Sequence, residues 1–157
     1  MPHYARETTV SVQRTRGEIE QVLERYGATG FMYAWQNNAA AIIFEMHQRR
    51  IRFILPLPNR DSREFWYTPS RGTRRSDAQA REAWEQSCRQ RWRALALVIK
   101  AKLEAIETQI TTFEDEFLAH TLLPNGSTVG EWIQPQLEET YRDGRMPPLL
   151  PGPSPEK

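Results

Sequence analysis

The residues best suited to chemistry lie in one arginine-rich stretch. Between positions 60 and 75, Arg60, Arg63, Arg71, Arg74 and Arg75 are interleaved with Phe65, Trp66 and Tyr67, and Arg81, Arg89, Arg91 and Arg93 follow. Guanidinium groups make forked hydrogen bonds to phosphate oxygens, and flat rings give unpaired bases a surface to stack on. The expected contact residues are Arg60, Arg63, Trp66, Tyr67, Arg71, Arg74, Arg75, Arg81 and Arg91. The arginines would hold phosphates and Trp66 would stack. The competing reading pairs these arginines with acids of the same chain and buries Trp66.

Other chemistries fit the residues poorly. His3, His47 and His120 are scattered, and no Cys-x-x-Cys or His-Glu-x-x-His motif provides metal-ligand spacing. The glycines never form a phosphate-binding loop. Cys88 falls on the apolar seam of a helix, where a small buried residue is the better reading than a nucleophile. Glu45 and His47, with Arg50 and Arg52 across from them, form an acid–base group on paper, but a salt-bridged sheet surface is the better reading. Glu114, Asp115 and Glu116 point in different directions on a helix, so a solvated face suits them better than a cation site. The carboxylate constellation of a metal-dependent nuclease is missing. The expectation is a protein that is not an enzyme and needs no cofactor and no metal.

The net charge of +1 conceals two opposed blocks. Residues 49–102 hold 14 Lys or Arg against 5 acids, a local net of +9. Residues 104–143 hold 1 Arg against 9 acids, a local net of −8. Such blocks either attract each other within the fold or face different partners. One cysteine forms no internal disulfide, which suits a reducing compartment. No signal segment or membrane span is apparent, so a cytoplasmic protein is expected.

The elements that must position these residues read as α+β. Residues 8–12 read as a strand. Thr15 and Glu18 suggest a capping box for a first helix with the stripe Ile19, Val22, Leu23 and Tyr26, closed by Gly27. Residues 30–56 read as a three-stranded antiparallel meander turning at Asn37-Asn38 and Gln48-Arg49. That register sets Phe31 opposite Phe44, Tyr33 opposite Ile42 and Trp35 opposite Ala40. In the second hairpin it sets Phe44 opposite Phe53, Met46 opposite Ile51, Ile42 opposite Leu55 and Glu45 opposite Arg52. The partly apolar outer face, with Met32, Ile43 and Ile54, suggests a cover, either a partner or the chain's own terminal region.

A loop of about twenty residues follows, a length that goes with either function or disorder. A long helix begins at Ser76 with Gln79 completing a capping box. Its seam is Trp84, Cys88, Trp92, Leu95, Ile99, Leu103, Ile106 and Ile110, with a break suggested near Thr111. Thr128 and Glu131 cap a last helix. Residues 1–145 are expected to form a single domain, and 146–157 a proline-rich extended tail. Run straight to Ile110, the long helix spans roughly 50 Å and outreaches three short strands. Its seam must then fold back near Thr111 or meet another copy, so a homo-oligomer is expected.

The stretch 86–141, and above all CRQRWRALALVIKAKLEAIE, ITTFEDEFL and LPNGSTVGEW, resembles a family of small phage and prophage proteins. The similarity reaches from about Thr8 to Pro151. That family has no assigned activity, so no site residue is carried over. The resemblance implies a phage or mobile element, a bacterial cytoplasm and an accessory role. In topology alone, the element order is similar to the core of phage single-strand annealing proteins. It is also similar to a double-stranded-RNA-binding domain, a match that the long loop spoils.

Two functions are therefore carried forward. The first is a non-enzymatic nucleic-acid-binding protein, for single strands or recombination intermediates, with DNA ahead of RNA. The second is a modulator of a host defence or polymerase protein, acting through the acidic stretch 104–116 as a phosphate mimic. Neither involves a membrane.

Overall fold

Ser11, not Thr15, starts the first helix. The computed structural model describes residues 3–146, and in it the Ser11 hydroxyl accepts the Arg14 amide at 3.1 Å as the cap of α1 (Val12–Arg25). Thr15 is fully buried and its hydroxyl accepts from Arg93 at 3.3 Å, while Glu18 accepts from Arg93 at 2.7 Å and from Lys100 at 3.1 Å. A local capping pattern is thus used for contacts between two helices distant in sequence. Ile19, Val22 and Leu23 are buried as expected, and Gly27 closes the helix at φ +102°.

The expected strand over 8–12 does not form. Gln86 instead donates to the carbonyls of Arg6 and Thr8 at 3.1 and 2.9 Å, and Gln90 donates to that of Tyr4 at 3.0 Å. Amide side chains of a helix satisfy this backbone, so it has no need of a sheet edge.

The meander consists of β1 (Gly30–Gln36), β2 (Ala39–Met46) and β3 (Arg49–Pro56), antiparallel and in sequence order. The first hairpin has the expected register, including Phe31 opposite Phe44 and Trp35 opposite Ala40. The second is shifted by two residues. Phe44 faces Ile51, Ile42 faces Phe53, Met46 faces Arg49 and Glu45 faces Arg50. The turn is His47-Gln48, both left-handed at φ 49° and 61°, in place of Gln48-Arg49. Because side chains alternate with a period of two, a two-residue shift keeps every residue on its expected face and changes only its partner.

One ion pair within the hairpin and two to later parts of the chain account for the choice. In the observed register Arg50 meets Glu45 at 2.7 Å, Arg52 meets Glu131 at 2.6 Å and Arg49 meets Glu114 at 3.0 Å. Each arginine of the strand has its own acid.

The 20-residue connection is ordered. It contains α2 (Arg63–Trp66) and leads into α3 (Asp77–Glu107), where Ser76 and Gln79 form the expected capping box. Helices α1 and α3 cover the face of the sheet that carries Ile42, Phe44, Ile51 and Phe53, all buried. Helix α3 stops at Glu107, short of Ile110. Gln109 turns left-handed at φ 62° and Thr112 caps α4 (Phe113–Glu116). The reversal drops Phe113 and Phe117 into the core, with Phe117 edge-on to Phe44 at 5.7 Å and to Phe53 at 6.1 Å. The seam from Cys88 to Leu103 is thereby buried within one chain, while Ile110 is left 80% exposed. The uncovered seam that argued for a homo-oligomer does not arise.

After a 3-10 turn at Leu118–His120, Thr121 bridges to Ile51 on the free side of β3. Thr128 and Glu131 form the expected capping box of α5 (Val129–Asp143). Arg52, on the outer face, is covered by the start of α5, but Met32 and Ile54 beside it remain exposed. The proline-rich tail lies, beyond Met146, outside the described residues. Among the described residues, no helix is long and apolar enough to cross a membrane.

Candidate nucleic-acid interface

The connection between β3 and α3 is held by its backbone. Leu57 donates to Asn38 at 2.7 Å, Trp84 Nε1 donates to the Pro58 carbonyl at 2.8 Å, and Arg91 donates to the Pro56 carbonyl at 3.0 Å. Helix α2 then buries Phe65. Arg75 reaches back to the carbonyls of Glu64 and Phe65 at 3.1 and 3.2 Å, close to the C-terminal end of α2 where a cation is favoured. Tyr67 bridges to Arg74, the Thr68 amide meets Thr73 and the Arg75 amide meets Trp66, which closes the segment into a clasp. Gly72 makes the reversal at φ +62°.

This frame sorts the expected residues into two groups. Arg75 and Arg91 brace the backbone. Arg60, Arg63, Arg71, Arg74 and Arg81 have no acidic partner among the described residues. Three of them lie over rings. Arg63 sits 4.5 Å from the Tyr67 centroid, Arg74 5.9 Å from Trp66 and Arg60 5.8 Å from Trp84. Arg63, Arg74, Trp66, Tyr67 and Asp61 line a cleft of about 280 Å³. A guanidinium stacked on a ring keeps its N–H donors in its own plane, free to meet phosphate oxygens. Trp66 and Tyr67 are half-buried, so here they act first as platforms for arginines.

The remaining cations of the basic block are largely neutralised. Arg49, Arg50, Arg52, Arg89, Arg93, Lys100 and Lys102 each pair with Glu45, Glu114, Glu131, Glu82, Glu18 or Glu116. The opposed charge blocks do attract each other, through Arg49, Arg52 and Lys102, but the clasp is left out of that pairing.

Comparison with protein-family models, with curated proteins and with solved structures finds no match.

The other candidates separate. His47 sits in the turn with its ring 4.7 Å from Phe113, away from Glu45, which is occupied by Arg50. The acid–base group therefore does not assemble. Cys88 is buried and desolvation pushes its thiol up to about 11, so it stays protonated at neutral pH. His120 stacks on Phe53 at 4.1 Å, and burial, aided by the charge of Lys102, lowers its pKa against a hydrogen bond to the Arg52 backbone. Among the described residues no group of three or more His, Cys, Asp or Glu side chains is placed to hold a metal ion.

Two participants were hidden in the sequence. Trp84 fits the apolar seam of α3, yet its ring lies half-buried under Arg60 and its Nε1 anchors the clasp. Arg16 of α1 lies 4.1 Å over Tyr33, a pairing across elements that no spacing rule reveals.

Proposed function

We propose that the chain is a non-enzymatic binder of single-stranded nucleic acid, DNA ahead of RNA, that holds the phosphate backbone on the clasp at residues 57–81. One observation carries this reading. Among the described residues, most cations of the sheet and of the long helix are paired with carboxylates, whereas the clasp's Arg60, Arg63, Arg71, Arg74 and Arg81 are not. Residues 57–81 contain 6 arginines and 3 acids, a local net of +3. A cluster of unneutralised guanidinium groups, three of them over rings, costs self-repulsion unless a polyanion relieves it. The mobile-element setting in a bacterial cytoplasm, implied by the resemblance of residues 86–141, belongs to the same proposal.

The modulator reading draws less support. Glu114 and Glu116 of its acidic stretch are taken up by Arg49 and Lys102 at 3.0 and 2.9 Å, which reduces the charge available to mimic a phosphate backbone.

Fluorescence anisotropy with labelled single-stranded DNA, duplex DNA and single-stranded RNA at low salt tests the proposal. The expected order is single-stranded DNA bound most tightly, with Arg63→Gln/Arg74→Gln weakening it. The absence of binding to all three ligands would sink it.

A further inference from the structure

A second cleft, of about 510 Å³, opens between the start of α1, the end of β1 and the middle of α3. That size suits a small ligand. Its aromatic walls are Tyr33, Trp35, Trp84 and Trp92. Trp92 is buried and packs against Tyr33 at 5.7 Å, so this wall is rigid. Trp84 is fixed by its hydrogen bond to Pro58. Trp35 is different. It is 71% exposed, and among the described residues it makes no ring contact and no hydrogen bond. An unpartnered indole thus stands beside a cleft whose other rings are held in place.

The cleft is continuous with the clasp through Trp84. That ring lines the cleft and also carries Arg60 at 5.8 Å, and Tyr33, another lining ring, carries Arg16 at 4.1 Å. Two of the four wall rings thus carry a cation, while the charged residues lining the cleft itself are Glu85 and Arg89, the latter paired with Glu82. A flat ring carrying phosphates is the ligand class that uses both features: its faces stack on indoles and its phosphates meet guanidinium groups. A proline-rich segment also suits aromatic walls. It offers no anionic groups to Arg16 and Arg60 along its length.

We infer that this cleft takes one unpaired nucleobase of the bound strand, stacked on Trp35, with Arg16 and Arg60 at the flanking phosphates. The inference rests on the strand-binding reading above and adds to it a site that reads the base rather than the backbone.

The test is anisotropy of the full chain with fluorescein-labelled dT12 and with the same strand made of abasic residues. Base stacking contributes on the order of 1–3 kcal/mol. The intact strand should therefore bind at least about five-fold more tightly than the abasic one. Trp35→Ala should bring that preference toward one, and Trp35→Phe should restore most of it. Circular dichroism checks that both variants keep the fold.

Equal binding of the two strands by the unaltered chain overturns the base site while leaving strand binding in place. An unchanged preference in Trp35→Ala does the same. Failure of both strands to bind defeats the underlying reading instead. Competition by a peptide of residues 146–157, without competition by dTMP, would assign the cleft to a proline-rich ligand and overturn the inference.

Discussion

The Arg74 guanidinium lies 5.9 Å from the centre of the Trp66 ring, and among the described residues no acid pairs with it. The relationship depends on a bridge between Tyr67 and Arg74 that folds the loop onto itself. It matters because a cation on a ring is held in place without being neutralised. An exposed ion pair would spend the charge on a carboxylate, whereas the ring contributes about 0.5–1 kcal/mol and leaves the hydrogen-bond donors free.

The brace under this arrangement is Arg75, which donates to the carbonyls of Glu64 and Phe65. Arg75→Ala removes both bonds and releases the clasp from α2. The expected outcome is faster amide exchange across residues 63–75 and weaker strand binding, with the melting temperature of the whole chain lowered by only a few degrees, as for a local opening. Exchange that rises equally in α1 and the sheet would mean that Arg75 supports the core and not the clasp.

The second hairpin turns on His47 and Gln48, both left-handed, where side chains cost roughly 1–2 kcal/mol each relative to glycine. Gln48→Gly should stabilise the chain by about 1 kcal/mol in urea melts. Arg49→Gly should destabilise it, because Arg49 is already in β3 and pairs with Glu114. Stabilisation by Arg49→Gly as well would place the turn at Gln48-Arg49.

These two regions show what could be read from residues alone. The first hairpin was legible because Asn37 is a residue that tolerates left-handed backbone, and it takes φ 53°. The second was not, because histidine and glutamine are poor turn residues and the deciding contacts come from Thr121, Glu114 and Glu131, far along the chain. Ser76–Gln79 and Thr128–Glu131 were legible as caps since both partners are local. Thr15–Glu18 has the same pattern, but Arg93 and Lys100 claim both side chains from a distant helix. In the clasp, the mixture of arginine and aromatics was plain. Which arginines face out and which brace carbonyls depends on the fold of α2, and so could not be read beforehand.

His120 ties stability to pH. Burial lowers its pKa below the unfolded value of about 6.5, so the unfolded chain takes up the proton first. The stability it contributes is complete above about pH 6.5 and is lost as pH falls through the depressed folded value. Glu18, Glu114 and Glu131 are lowered too, by the Arg93 hydrogen bond for Glu18 and mainly by backbone hydrogen bonds for the others, and their contributions fade only further down, below about 4.5. Melting temperature should therefore decline between pH 7.5 and 5.5, and His120→Phe should flatten the decline in that window alone. An unaltered slope in the variant would remove His120 as the cause.

The central claim is that the unpaired arginines of the clasp bind a phosphate backbone, and the salt dependence of affinity tests it most directly. Each neutralised phosphate of a single strand contributes about −0.7 to the slope of log K against log salt. If Arg60, Arg63, Arg71, Arg74 and Arg81 all engage, the slope for dT12 is roughly −3.5. Arg63→Gln/Arg74→Gln should bring it to about −2. Binding with that slope, reduced by that double variant and left alone by Arg50→Gln on the paired sheet surface, is the predicted result. No binding at low salt, or a slope that the clasp variant leaves unchanged, contradicts it.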